Sequence, residues 1–279
     1  MPGQDGWSNI LIDWDDAFDN SGYVDGADKL VEQWAVEAEA YRASCVDQRA
    51  RLDLRYGTDP REAFDLFLPE GTPKGTVVFV HGGYWLRLDK SYFSHYAHGC
   101  VSNGWVVAIP SYPLAPQVSV TQITESITRL SNHIAEAFEG AIVVTGHSAG
   151  GHLVSRMATA GVLPESTASR ITRVVAVSGV YHLNPLLNTK MNDKLQLTES
   201  EVMTESPVHL EPNKSIPVTF WVGDHERPEF LRQTRMVAEC WSAKGAVVHT
   251  VYESACHHFN VIASLQDKNG SLTREIVQL

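Results

Sequence analysis

The sequence predicts an α/β protein whose mostly parallel central sheet carries helices on both faces. Two observations lead there: six short apolar runs, and stretches of helical period between them. A third, a Gly-x-Ser-x-Gly pentapeptide set between one run and a helix-compatible stretch, adds a specific turn to that plan. Strands buried on both faces read as continuous apolar runs, and helices between such strands imply parallel crossovers.

The elements follow in order. Leu30, Val31, Trp34, Ala38, Tyr41 and Cys45 recur at helical spacing, which predicts an amphipathic helix over 27–46. Two short strands over 51–56 and 63–68 flank the turn residues Gly57-Thr58-Asp59-Pro60. Then come the apolar runs 76–80, 105–109, 141–145, 174–177, 218–222 and 246–251. Val120, Ile123, Ile127, Leu130, Ile134 and Phe138 mark a helix face between the second run and the third. Phe230, Val237 and Trp241 mark another between the last two. Residues 181–214 break the rhythm with Asn, Pro and Thr, and a segment of that length between strands reads as a small cap over the site. The whole chain, 1–279, reads as one doubly wound domain.

Bulk properties exclude several functions. Lys and Arg total 22 against 33 Asp and Glu, a formal charge of −11, which argues against binding a nucleic-acid backbone. No apolar run is long enough to span a bilayer. Met1 to Asn20 lacks the basic region and apolar core of a signal or transit peptide. Cys45, Cys100, Cys240 and Cys256 are widely separated and form neither a disulfide scaffold nor a zinc cluster. A cytoplasmic protein with a small-molecule substrate, and neither a nucleic-acid nor a membrane partner, is expected. A homodimer stays open as its assembly.

The pentapeptide Gly146-His147-Ser148-Ala149-Gly150 follows the run 141–145 and precedes helix-compatible Gly151 to Met157. This is the strand–turn–helix setting of a nucleophile elbow, so Ser148 is the expected nucleophile of an α/β-hydrolase fold. His81-Gly82-Gly83-Tyr84-Trp85 follows the run 76–80, where this fold supplies amides to an oxyanion hole. Gly82, Gly83 and Ala149 are the expected donors. A triad also needs an acid and then a histidine later in the chain. Asp224 and Glu226 both lie just after the run 218–222, and His257 and His258 both follow the last one. Either acid can hold the imidazole tautomer. Tyr84, Trp85 and Tyr112 read either as core or as pocket rim, and the first two are the substrate-binding candidates. His81, His147, His152 and His225 show no metal-ligand spacing, so neither a metal nor a cofactor is expected. Asp15-Asp16 reads as solvated surface.

From about Leu54 to the C-terminus the sequence resembles the kynurenine formamidases (arylformamidases), serine hydrolases of this fold. His81-Gly82-Gly83-Tyr84-Trp85 resembles that family's His-Gly-Gly-x-Trp motif. Tyr112-Pro113-Leu114-Ala115-Pro116 is similar to a segment after its next strand, though lipase-like relatives carry Arg where Pro113 stands. Pro228-Glu229-Phe230-Leu231-Arg232-Gln233-Thr234 resembles the stretch following its catalytic acid, and Leu195 to Thr198 with Ser206-Pro207 resembles its cap. The resemblance assigns the acid to Glu226 instead of Asp224, with Glu in place of the Asp of animal members. It assigns the base to His258, which directly precedes Phe259. It implies hydrolysis of N-formyl-L-kynurenine to kynurenine and formate through an acyl-enzyme, as in tryptophan catabolism. The alternatives are a carboxylesterase acting on small esters and a non-catalytic binding protein that kept the fold.

Overall fold

Consecutive side chains of an extended segment face opposite sides of a sheet, so a strand apolar at every position can feed two cores at once. The run Gly75–Val80 does this: Val78 and Val80 join one buried cluster while Val77 and Phe79 join another. The computed structural model describes residues 12–47 and 49–278. Its strands are β1 (Ala50–Arg55), β2 (Ala63–Phe67), β3 (Gly75–Val80), β4 (Val106–Pro110), β5 (Ala141–His147), β6 (Ile171–Val177), β7 (Val218–Gly223) and β8 (Val248–Glu253). They form one sheet in the order β1-β2-β4-β3-β5-β6-β7-β8. β1 and β2 pair antiparallel, as do β2 and β4, and all other pairs are parallel.

Helices Val120–Ala137, Ala149–Met157 and Pro228–Ala243 cover one face, with Ile127, Leu153 and Trp241 fully buried. Helix Ala27–Ser44 covers the other face, where Trp34 packs on Phe93, Tyr96 and Phe259. Helix Val120–Ala137 starts at a capping box in which the Ser119 hydroxyl accepts from the Gln122 amide and the Gln122 side chain accepts from the Ser119 amide. Such a cap contributes about 1 kcal/mol. No helix among the described residues is long and apolar enough to cross a membrane.

One expectation needs correction, and two features go beyond the sequence reading. The run 246–251, read as a strand buried on both faces, is the edge strand β8. It has one neighbour and is only partly covered on each face, so Val247 just before it and Tyr252 within it are about half exposed. Two short helices, Trp14–Phe18 and Asn20–Tyr23, were not anticipated at all. The acidic pair is exposed as expected, Asp16 over 67% of its side chain and Asp15 over 39%, yet both carboxylates also make specific contacts. The Asp15 carboxylate accepts from the Lys190 amide at 2.7 Å, and Asp16 takes a bidentate bond from Arg227, both arms at 2.9 Å. The segment 181–214 folds into short turns and the helices Asn192–Leu195 and Glu199–Glu205. It is anchored by buried Glu205, whose carboxylate meets Arg156 at 3.0 Å and the Thr124 hydroxyl at 2.8 Å.

Candidate active site

β5 runs directly into helix Ala149–Met157, and Ser148 at the junction adopts φ 58° and ψ −121°. A non-glycine residue there costs on the order of 1–3 kcal/mol, so the surroundings must impose it. Its amide donates to the Val177 carbonyl of β6 at 2.8 Å. The turn leaves no room for a side chain two residues to either side of Ser148: a Cβ on Gly150 would lie 2.0 Å from the Val80 carbonyl oxygen, and one on Gly146 2.6 Å from that of Gly150. This crowding is the physical reason for both glycines.

The Ser148 hydroxyl lies 3.0 Å from His258 Nε2, and His258 Nδ1 lies 2.7 Å from Glu226 Oε2. The other Glu226 oxygen accepts from the Ser178 hydroxyl and from the Gly223 amide, and the side chain is fully buried. A carboxylate only accepts, so Nδ1 carries the proton and Nε2 is left as an acceptor for the Ser148 O–H. That tautomer suits a base.

The two ambiguities of sequence separate in space. Asp224 is turned to the chain end of β8, where it accepts from the Ala255 amide at 2.7 Å and is 38% exposed at its side chain. His257 makes local contacts only: its amide donates to Asn260 and its Nδ1 accepts from the Phe259 amide. Fully buried His147 stays neutral, since burial pushes its pKa well below the usual histidine value. Its Nε2–H donates to the His258 carbonyl at 2.8 Å and so pins the backbone of that residue.

Two further bonds orient the glycine loop. The His81 carbonyl accepts from the Tyr112 hydroxyl at 2.9 Å, and the Gly82 carbonyl accepts from His81 Nδ1 at 2.7 Å. In a planar trans peptide the N–H points opposite to the C=O, so the Gly82 and Gly83 amides face away from these partners. The Gly82, Gly83 and Ala149 amides have no acceptor among the described residues. A Cβ on Gly82 would sit 2.8 Å from that of Ser148, so the loop and the elbow touch. His81 is sandwiched by Phe93 and Tyr112 at centroid distances of 5.4 and 4.4 Å, and burial pushes its pKa down to about 4. Tyr112 therefore belongs to the core and supports the loop.

Trp85, a substrate-binding candidate, is fully buried with its ring edge-on to His152 at 5.1 Å. It lines no space at Ser148, which corrects that expectation: the large indole is worth more as core filler behind the loop than at a rim. Tyr84 does border the site. Its hydroxyl donates to the Phe18 carbonyl at 2.5 Å and accepts from Asn20 Nδ2 at 3.1 Å. Sequence reasoning missed Asn20 and Ser21, which wall the site from the unanticipated N-terminal helices. Arg227, next to Glu226, holds that segment through Asp16 and through the Asp19 carbonyl at 2.7 Å.

A cavity of about 30 Å³ adjoins Ser148 and His258, bordered by Asn20, Trp34, Gly82 and Tyr84. It shares Asn20, Tyr84 and Arg87 with an outer groove of about 410 Å³ that Phe18, Lys190 and Met191 also line. The segment 181–214 contributes Lys190 and Met191 to that groove.

Known proteins agree with this architecture. The BD-FAE family model matches residues 64–235, more than half of the chain. A kynurenine formamidase from Danio rerio is 28% identical over 88% of this chain and 86% of its own. A crystal structure from Silicibacter sp. TM1040, provisionally designated a thioesterase, is 45% identical with a TM-score of 0.91, covering 96% of this chain and all of that one. Esterase B of Lactobacillus rhamnosis, 20% identical with a TM-score of 0.65 over 93% of each chain, shares the fold. The chain belongs to the BD-FAE family, and it is a hydrolase built on the α/β-hydrolase fold.

Proposed function

We propose that the chain is an arylformamidase acting on N-formyl-L-kynurenine, with Ser148 as nucleophile, His258 as base and acid, and Glu226 as the group that orients the ring. The observation that carries the reading is the hydrogen-bonded line Ser148–His258–Glu226 beside a cavity of about 30 Å³. Ser148 Oγ attacks the formyl carbon while His258 Nε2 takes its proton. The Gly82, Gly83 and Ala149 amides receive the oxyanion. His258 then gives the proton to the departing arylamine, and water attacking the formyl-enzyme by the same route releases formate.

The cavity beside Ser148 is narrow and walled by Trp34, Phe93 and Phe259, which favours a small acyl group such as formyl. The outer groove offers Leu86 and Met191 to an aromatic ring, and Arg87 to a carboxylate, beside the acidic Asp15 and Asp19 that also line it. The relatives named kynurenine formamidase support the same substrate. The four free cysteines fit the reducing cytoplasm expected for the protein. The test compares N-formyl-L-kynurenine with its N-acetyl analogue. The expected kcat/KM ratio exceeds the roughly 10–200-fold that one methyl group normally gives. The likeness to a provisional thioesterase favours an ester or thioester reading instead. Good turnover of butyryl esters with both amides inert would establish that alternative.

A further inference from the structure

Attack on an amide carbon leaves the nitrogen pyramidal, with one lone pair and its original hydrogen. For the C–N bond to break, the lone pair must face the His258 imidazolium that supplies the second proton. The N–H is then aimed elsewhere, into the wall of the leaving-group side. An ester oxygen has no hydrogen at that position. A wall that presents an acceptor there favours amides over esters.

Asn20 supplies such an acceptor. It is 3% exposed, it borders the same small cavity as Ser148 and His258, and its Oδ1 is buried without a hydrogen-bond partner among the described residues. The orientation of its amide follows from its neighbour. The Tyr84 hydroxyl spends its only proton on the Phe18 carbonyl, so it can receive only a donor from Asn20, which must be Nδ2. Oδ1 is thereby turned away from Tyr84 and is closed to solvent in the free protein. A buried acceptor left empty costs about 1–3 kcal/mol, so a residue holding one in the free protein is poised to recover it on binding. The side chain is held there by Tyr84 and, through the segment that carries it, by Arg227 on the Asp19 carbonyl.

We infer that Asn20 Oδ1 accepts a hydrogen bond from the N–H of the scissile amide and thereby sets the preference for formamides over esters; this rests on the arylformamidase reading above. The step is balanced. The Ser148 O–C bond forms and its proton passes to His258 Nε2. The C–N bond breaks with its electron pair on nitrogen, which takes the proton from Nε2. The original N–H stays on the arylamine throughout and is the hydrogen that Asn20 holds.

The experiment measures kcat/KM for formanilide and for phenyl formate, which share acyl group and ring, with spontaneous ester hydrolysis subtracted. Asn20→Leu and Asn20→Ala are each compared with wild type. The expected result is a fall of at least fivefold in the amide-to-ester ratio, the rate equivalent of about 1 kcal/mol. A second comparison keeps the inference testable if either variant is poorly folded. N-methylformanilide has no N–H, so the gap between it and formanilide narrows by a similar factor in any variant that remains active. An amide-to-ester ratio that moves less than fivefold in both variants overturns the inference, whether both activities fall together or neither falls. Wild-type protein that cleaves phenyl formate but not formanilide refutes the arylformamidase reading itself, and this inference with it.

Discussion

Replacing Glu226 by Gln keeps the size of the side chain and changes one functional group, which makes its consequence unusually traceable. One oxygen of Glu226 accepts from both the Ser178 hydroxyl and the Gly223 amide. Those two donors hold the Gln carbonyl oxygen, so its NH₂ must face His258 Nδ1, 2.7 Å away in the native protein. Nδ1 then has to accept, and the imidazole proton moves to Nε2. An Nε2–H cannot take a proton from Ser148, 3.0 Å away. Loss of the correct tautomer in a serine triad costs about 10⁴-fold in kcat, or about 5.4 kcal/mol in the barrier. Steady-state turnover of an aryl formate by purified Glu226→Gln protein measures this directly. Asp224→Asn is the control, because Asp224 is partly exposed, bonds the Ala255 amide and faces the exposed His225 ring at 3.8 Å, away from His258. Its expected effect is within about threefold, as for a surface change of well under 1 kcal/mol. A Glu226→Gln enzyme within tenfold of wild type, beside a crippled Asp224→Asn enzyme, would refute the tautomer argument and move the role to Asp224.

Two further outcomes follow from the same geometry. Ser148→Ala lowers kcat by about 10⁴-fold or more while the fold survives, because the attacking oxygen is gone and a smaller side chain relieves crowding; full activity in protein free of host esterases would sink the assignment. Acid should weaken the fold: burial pushes the pKa of His81 to about 4, of His95 to about 4 and of His152 to about 3. Each binds a proton more readily unfolded than folded, so the stability these sites contribute is present above pH ~6.5 and is lost as pH falls from there towards 4. Thermal melts across that range should show a falling Tm, and a flat profile would contradict the burial of neutral histidines.

The sheet was legible because each buried strand is apolar on both faces, and the elbow because its glycines and serine are neighbours in the chain. Choosing between Asp224 and Glu226 was harder, since the answer lies in a turn. The Glu226 amide bonds back to the Gly223 carbonyl, which swings the longer side chain to His258 and leaves Asp224 outside. Trp85 misled because an aromatic residue inside a loop motif looks like a rim residue, whereas its indole packs against His152. The N-terminal wall left no local signal. Asp16 and Arg227 are 211 positions apart, and such a polar contact has no periodicity to betray it. The adjacent pair Asp15-Asp16 therefore read as ordinary surface.

The wall has a consequence for how such a protein diversifies. Residues 64–235, the stretch that the family model matches, contain Ser148 and Glu226 but not Asn20, Arg227's partner Asp16, or His258. The segment bearing Asn20 contributes no strand to the sheet and is fastened by Arg227, Tyr84 and the Lys190 amide. Exchanging it would leave the sheet intact and redraw the leaving-group side. On the reading proposed above, the wall on the leaving-group side precedes every strand of the sheet in the chain, so it can change without disturbing the strands that position Ser148 and Glu226.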